Sequence, residues 1–454
     1  MSNEQRGRLV LLVMCVGYFL VLLDVTAVNV ALPRIDADLG AGVDGLQWVV
    51  DAYAVALAAL LLVGGAVGDV RGHRRIVLLG LGIFAAASLA CGLAPTIGVL
   101  LASRAVQGVG AALLLPGTLA IVVDSAPDRR ARARAIGVWA AVGSCALPAG
   151  PIVGGALVDA VGWRSVFLIN VPIAVVAGAV AIRIVADDRP ATRRRVDWAG
   201  ATLAALTLAS LVFAIIELGR TGPGPTADAS IVAALALGSA FVLAEKRQAD
   251  PMLPLSLFRR LEFTSATLIA GAMNLGTLGL LFVVTLYLQS VHGDSPLRAG
   301  VALLPLFLPL TVIAPISGRW TAQQGPRVPM AAGLLLAGAG VALMTRLEPD
   351  SSYAVLLPAT LGWGIGIGLL TPAVVAAAVG AADPARSGLA SGVNNTSRQA
   401  AGAVGVAAYG AAAGRPAHTV AFVAGLHQLA VATAILFGIA ALVAIATTTP
   451  GGDP

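Results

Sequence analysis

The chain has 454 residues, of which 58% are hydrophobic and 11% charged, with a mean hydropathy of +0.90. A soluble domain carries about 25% charged residues, so this chain has too little polar surface to coat a water-soluble globule. Its formal net charge of +6 raises nucleic acid as a partner, but the placement of the positive residues gives them another role.

A membrane-crossing helix needs roughly 20 apolar residues. Continuous apolar segments run at 9–32, 45–68, 76–94, 98–123, 135–158, 165–186, 198–218, 229–244, 263–290, 299–317, 328–345, 353–379, 388–413 and 419–447. The spacing predicts fourteen transmembrane helices joined by short loops, with no room for a folded soluble domain. A β-barrel fits poorly, because its strands alternate rather than run apolar throughout. The first segment follows Arg6 and Arg8 and runs into a polar stretch without a clean cleavage site; it reads as a retained helix.

Placing the N-terminus inside puts 21 of the 29 lysines and arginines in inside segments and 6 outside, leaving Arg104 and Arg398 within spans. Positive residues concentrate on the cytoplasmic side of membrane proteins. The bias predicts a multi-pass protein with both termini cytoplasmic, and it accounts for the positive charge without nucleic acid.

Several classes of chemistry find no support. Lys246 is the only lysine, and no glycine-rich loop precedes it, which excludes a Walker-type ATPase. His73, His292, His418 and His427 are scattered and lack metal-ligand spacing. Cys15, Cys91 and Cys145 all lie in apolar runs and read as packing residues. No enzyme, metal or cofactor is expected.

The longest inside connections, near 187–197 and 245–262, divide the chain. The expected organisation is a six-helix bundle over 1–186, a linker with two inserted helices over 187–261, and a second six-helix bundle over 262–454. An internal echo supports two related halves. Gly65-x-x-x-Asp69-x-x-Gly72-x-Arg74-Arg75 is matched by Gly318-x-x-x-Ala322-x-x-Gly325-x-Arg327 at the equivalent place, with Ala322 replacing the acid.

Asp24 lies within the first apolar run, where a carboxylate costs roughly 2.5–3.5 kcal/mol on insertion scales. Such a group can load a proton from one side and release it on the other, or it can serve as a packing residue with a partner. Arg104, in the fourth run, carries a permanent charge that must meet a carboxylate, a carbonyl or water. A fixed positive charge beside a buried acid favours the ionised form. Sequence alone leaves open whether the two meet. The cluster Gly65, Asp69, Gly72, Arg74 and Arg75 combines a tight turn with pairing charges, and can hold two helices together in one state and release them in another. In the fifth run, Pro148 and Pro151 remove helix hydrogen bonds, while Gly150, Gly154 and Gly155 allow close helix approach. The thirteenth run holds Asn394, Asn395 and Arg398 in a polar stretch suited to lining a wet cavity. Asn29 and Gln107 are further candidates there. Asp51 and Glu217 read as interfacial.

Taken in order, these motifs resemble the 14-helix drug:proton antiporter-2 family (EmrB/QacA type) of the major facilitator superfamily. The resemblance is carried by Leu23-Asp24-Val25-Thr26 through Asn29-Val30-Ala31-Leu32-Pro33, the Gly65–Arg75 loop, Arg104-x-x-Gln107-Gly108-x-Gly110, and Gly150-Pro151-x-x-Gly154-Gly155. Gly162-Trp163-Arg164 through Pro172, Tyr287-Leu288-Gln289 with Ala299-Gly300, and the Ser391–Gln399 run add to it. His73 stands where the loop motif more often has arginine.

The resemblance implies an all-helical membrane fold of two six-helix bundles plus two inserted helices. It implies alternating-access export of amphipathic small molecules, as in multidrug or antibiotic efflux, driven by the proton gradient with no cofactor. It assigns proton coupling to Asp24 and Arg104, an inner gate to Asp69 with Arg74 and Arg75, and an antiporter motif to the fifth helix. The expected setting is a monomer in the bacterial inner (plasma) membrane. The competing reading is a major facilitator transporter dedicated to one metabolite, such as an amino acid, sugar or siderophore.

Overall fold

A computed structural model describes residues 3–126, 128–186, 197–248, 251, 253–383 and 387–448. The stretch 187–196 of the expected linker lies outside the described residues. Among the described residues the regular elements are helical. Each apolar run satisfies its own backbone groups internally, as a lipid environment requires.

The N-terminal elements are α1 (Asn3–Leu39), α2 (Gly42–Arg71), α3 (His73–Gly92), α4 (Ile97–Asp124), α5 (Arg129–Ala160), the short α6 (Arg164–Leu168) and α7 (Asn170–Ile184). Then come α8 (Trp198–Thr221) and α9 (Pro225–Arg247). The C-terminal elements are α10 (Leu261–Leu286), α11 (Pro296–Ala302), α12 (Leu304–Gln324), α13 (Arg327–Ala342), α14 (Tyr353–Gly380), α15 (Ser387–Ala413) and α16 (Thr419–Thr447).

Local chemistry sets the ends and breaks. Thr96 caps α4 by accepting from the Val99 N–H at 3.4 Å, and Asp128 caps α5 through Ala131 at 2.8 Å. Two expected spans are broken. Pro172 lacks the N–H that would bond to Leu168, and α6 gives way to α7 there. Pro305 likewise removes a bond to Val301, and α11 meets α12 at a 40° bend.

Twelve helices among the described residues are long and apolar enough to cross a membrane, and the bent α11–α12 pair makes thirteen. That is fewer than the fourteen expected from the apolar runs. The segment expected at 388–413 forms α15, a 27-residue helix that is not among those spans. Its run of Asn394, Asn395, Thr396, Ser397, Arg398 and Gln399 makes it the least apolar of the long segments.

The chain forms two compact units: 1–209 with 235–252, and 210–234 with 253–454. In the first, α4 packs between α2 and α3, α1 packs on α5, and α3 packs on α7. Its core includes Leu20, Tyr53, Leu57, Phe84, Ala111 and Leu114. In the second, α14 packs with α12 and α13, α10 packs on α15, and α13 packs on α16. Counted along each unit, the same pairs recur: first with fifth, second and third with fourth, third with sixth. The loop echo recurs in conformation too, since α2 ends at Gly72 with φ 93° and α12 at Gly325 with φ 81°. These positive φ values suit glycine and reverse the chain within one residue.

The two intervening helices are divided at mid-length. Ala201 of α8 packs with Val63, Val67 and Ile76 in the first unit. A Cβ on Gly219 would meet Ala411 in the second. Only 11% of the apolar window of α9 is buried, which leaves most of its surface for lipid.

Candidate functional site

The first unit contains a buried polar network built by five helices. Asp24, midway along α1, and Arg104, two turns into α4, are each 1% exposed. Arg104 Nη1 donates to Asp24 Oδ2 at 2.5 Å and to Gln107 Oε1 at 2.7 Å. Arg104 Nε donates to the Val49 carbonyl of α2 at 2.9 Å. The guanidinium carbon lies 4.3 Å from the centre of the Tyr53 ring, close enough for cation–π attraction.

Three donors hold the carboxylate. Besides Arg104, Gln107 Nε2 donates to Asp24 Oδ1 at 2.9 Å, and Asn170 Nδ2 at the start of α7 donates to the same oxygen at 3.2 Å. Gln107 stands three residues after Arg104, so helical spacing puts both on one face of α4. Gln107 Nε2 also donates to Ser88 Oγ on α3 at 2.9 Å, and its Oε1 accepts from the Cys91 thiol at 3.8 Å. The arrangement satisfies a buried charge pair on nearly every side, which low dielectric demands. A proton on Asp24 would remove the charge opposite Arg104 and leave that cation with neutral partners alone.

The fifth-helix motif packs on the same stretch of α1. A Cβ on Gly150 would strike Thr26 Oγ1, and a Cβ on Gly154 would stand 2.9 Å from the Ala27 carbonyl oxygen. The backbone of α5 therefore packs on α1 two and three residues after Asp24. Pro148, Pro151 and Gly155 are buried on the same helix.

The loop cluster is assembled at the α2–α3 turn. Asp69 Oδ1 lies 3.3 Å from His73 Nε2. Arg74 Nη2 donates to the Ile182 carbonyl near the end of α7 at 2.7 Å. Gly65 is half-buried on α2 and Arg75 is exposed. At the opposite end of the unit, Trp163 Nε1 and Arg164 Nη1 both donate to Asp38 Oδ2, at 2.9 Å and 2.5 Å. Arg164 Nη2 also reaches the Ala94 carbonyl at 3.2 Å. That motif ties the end of α1 to the ends of α3 and α5.

The candidates for cavity lining do not form one group. Gln107 belongs to the Asp24 network. Asn29 turns back on its own helix, donating to Val25 at 2.8 Å. Asn394, Asn395 and Arg398 lie in the second unit. Asn394 is buried with no hydrogen-bond partner for its Nδ2. Asn395 is half-buried, and Arg398 Nε donates to Asn274 Oδ1 on α10 at 3.3 Å.

Sequence reasoning missed three features. Asn170, Ser88 and Tyr53 join the network. Asn170 had a usable signal, as an amide inside an apolar run, but Ser88 and Tyr53 had none. Asp51, expected at the interface, is 0% exposed, and neither of its carboxyl oxygens has a hydrogen-bond partner. Glu217 pairs with Arg220 through both oxygens at 2.7 and 2.8 Å.

Comparison with known proteins places this chain in a family. The chain is 39% identical over 399 residues to the methylenomycin A resistance protein of Streptomyces coelicolor, covering 87% of this chain and 83% of that protein. It is 36% identical over 417 residues to the tetracenomycin C resistance and export protein of Streptomyces glaucescens, covering 90% and 77%. A bacterial homologue of the human drug peptide transporters PepT1 and PepT2 shares its fold, with a TM-score of 0.67, 15% identity and 98% of each chain covered. The family model described as Major Facilitator Superfamily matches residues 14–406. This chain is a multi-pass membrane protein belonging to the Major Facilitator Superfamily of small-molecule transporters.

Proposed function

We propose that the protein is a drug efflux transporter that exports amphipathic, antibiotic-like molecules in exchange for protons. The observation that carries the coupling is the buried Asp24–Arg104 pair, at 2.5 Å, with the α5 glycines packed on the same stretch of α1. Relatives named for antibiotic resistance and export favour this reading over a transporter of one metabolite.

In the cycle, Asp24 and Arg104 neutralise each other while the site is proton-free. A proton arriving on Asp24 competes with Arg104 for the carboxylate. The freed guanidinium keeps Val49, Gln107 and the Tyr53 ring, and the contact of α1 with α4 loosens. Because α5 is seated on Thr26 and Ala27, a shift of α1 carries α5 with it. Proton loading thereby favours one access state and release favours the other, which is the two-state element that alternating access requires. Asp69, Arg74 and Arg75 close the inner gate, and Asn394, Asn395 and Arg398 of the second unit line the substrate path.

The setting is the bacterial plasma membrane, with fourteen spans, both termini cytoplasmic and a monomeric chain. α15 is the fourteenth span, tolerated in the bilayer because its polar residues pack within the protein. In chain order, one six-helix bundle precedes α8 and α9 and the other follows them, and the proton gradient is the energy source. The test is efflux of a fluorescent drug from proteoliposomes under an imposed proton gradient, comparing wild type with Asp24→Asn. Abolished exchange by a folded variant supports the assignment, and wild-type exchange overturns it.

A further inference from the structure

The second unit contains a cavity of about 410 Å³, separate from the Asp24 network in the first. It lies where α10, a π-helical turn at Tyr287–Val291, α11 and the start of α14 converge. π turns concentrate at functional sites, and the volume falls in the range of small-molecule pockets, about 300–1,000 Å³.

The walls are apolar because their polar atoms are already engaged. The Tyr287 hydroxyl donates to the Glu348 carbonyl. The Tyr353 hydroxyl donates to the Ala302 carbonyl at 3.1 Å, so both tyrosines offer ring carbon to the space. His292 Nδ1 lies 3.2 Å from Asp294 Oδ2, so that carboxylate already has a partner. Leu297 and Val301 complete the apolar lining. One charge is left over: Arg298, exposed at the rim, has no ion-pair partner among the described residues. Ser352 also lines the cavity, and its hydroxyl is not used as a helix cap.

We propose that this cavity binds an anionic amphiphile, with its apolar body between Tyr287, Tyr353, Leu297 and Val301 and its carboxylate or phosphate head on Arg298. A planar guanidinium suits a two-oxygen anion. An uncharged apolar guest would leave Arg298 unused, and a cationic one would meet it as a like charge. The free acid or the phosphate of a membrane lipid both satisfy this chemistry. Access from the outer face rests on the orientation proposed above; the binding itself does not.

Calorimetry on the purified full-length chain, with decanoate as probe and decanol as its uncharged counterpart, tests the site. Decanoate is expected to bind saturably, one per chain, about tenfold more tightly than decanol, as loss of one charge-assisted contact implies. Arg298→Gln should weaken decanoate about tenfold and leave decanol unchanged. Val301→Trp should abolish binding of both by filling the space; Val301 is 49% exposed, so the bulk is tolerated, and an unchanged unfolding temperature verifies folding. In nanodiscs, competition by phosphatidylglycerol but not phosphatidylcholine identifies a lipid occupant, and no competition identifies a free acid; either result supports an anionic amphiphile. Wild-type decanoate affinity in Arg298→Gln or folded Val301→Trp, or equal affinity for decanol, overturns the proposal. Binding is read without a proton gradient, so its failure leaves the efflux reading standing, and failed efflux leaves this test standing.

Discussion

Asp24 and Arg104 are separated by 80 positions in the chain yet meet as an ion pair at 2.5 Å, with both side chains shut away from solvent. Each ion is costly alone in low dielectric, and the network compensates both. The pair is therefore sensitive to loss of one member and tolerant of loss of both.

Removing one partner leaves an uncompensated charge, which costs about 3–5 kcal/mol. Arg104→Gln should lower the unfolding temperature in detergent, and Asp24→Asn should do so as well. The double variant Asp24→Asn/Arg104→Gln should recover much of the lost stability while still failing to exchange drug for protons. A double variant no more stable than either single one would refute a direct pairwise interaction.

Gln107 supplies donors to two buried oxygens, on Asp24 and Ser88. Gln107→Leu keeps the volume and leaves both short of a donor, at roughly 1–3 kcal/mol. Thermal unfolding should register that loss, and Gln107→Glu should not restore it, because it puts a second acceptor against Asp24.

The contact of α5 with α1 has a control within the same helix. A Cβ on Gly154 falls 2.9–3.0 Å from the backbone and Cβ of Ala27, whereas one on Gly137 meets nothing within 4 Å. Gly154→Leu should cost about 1–3 kcal/mol of packing and suppress efflux, while Gly137→Leu should leave efflux near wild type. Equal efflux by the two variants would show that the close contact is not needed for transport.

Asp51 presents the opposite case to Asp24: a buried carboxyl without a hydrogen-bond partner. An unsatisfied buried polar group costs about 1–3 kcal/mol. Asp51→Val should therefore hold or raise the unfolding temperature, the reverse of the change at Asp24. A loss as large as that of Asp24→Asn would reveal a partner that the described contacts lack.

Fourteen spans predict that residues near Gly222 and Gly293 face outside, while Arg247 and Gly325 face inside. Single cysteines placed there, after replacement of Cys15, Cys91 and Cys145, should label from outside with an impermeant thiol reagent only at Gly222 and Gly293. Labelling at Gly325 from outside would break the alternation of the spans that precede it.

Much of this protein is determined by local sequence. Apolar runs of membrane length dictate helices, because backbone groups in lipid have no other partner. Prolines 172 and 305 mark the broken spans, glycines 72 and 325 the two matching turns, and arginines the expected orientation. Asp24 and Arg104 stand out individually because an ionisable residue in an apolar run is expensive. Tertiary structure alone decides what they do with that cost. The meeting of Asp24 with Arg104 depends on how α1, α2, α3, α4 and α7 are rotated and stacked, and side chains from all five complete the network. Ser88 and Tyr53 are ordinary residues for membrane helices and acquire a role only from what they face. Asp51 shows the same limit from the other direction: its position near a helix start suggests the interface, and its burial follows from packing that no local pattern encodes.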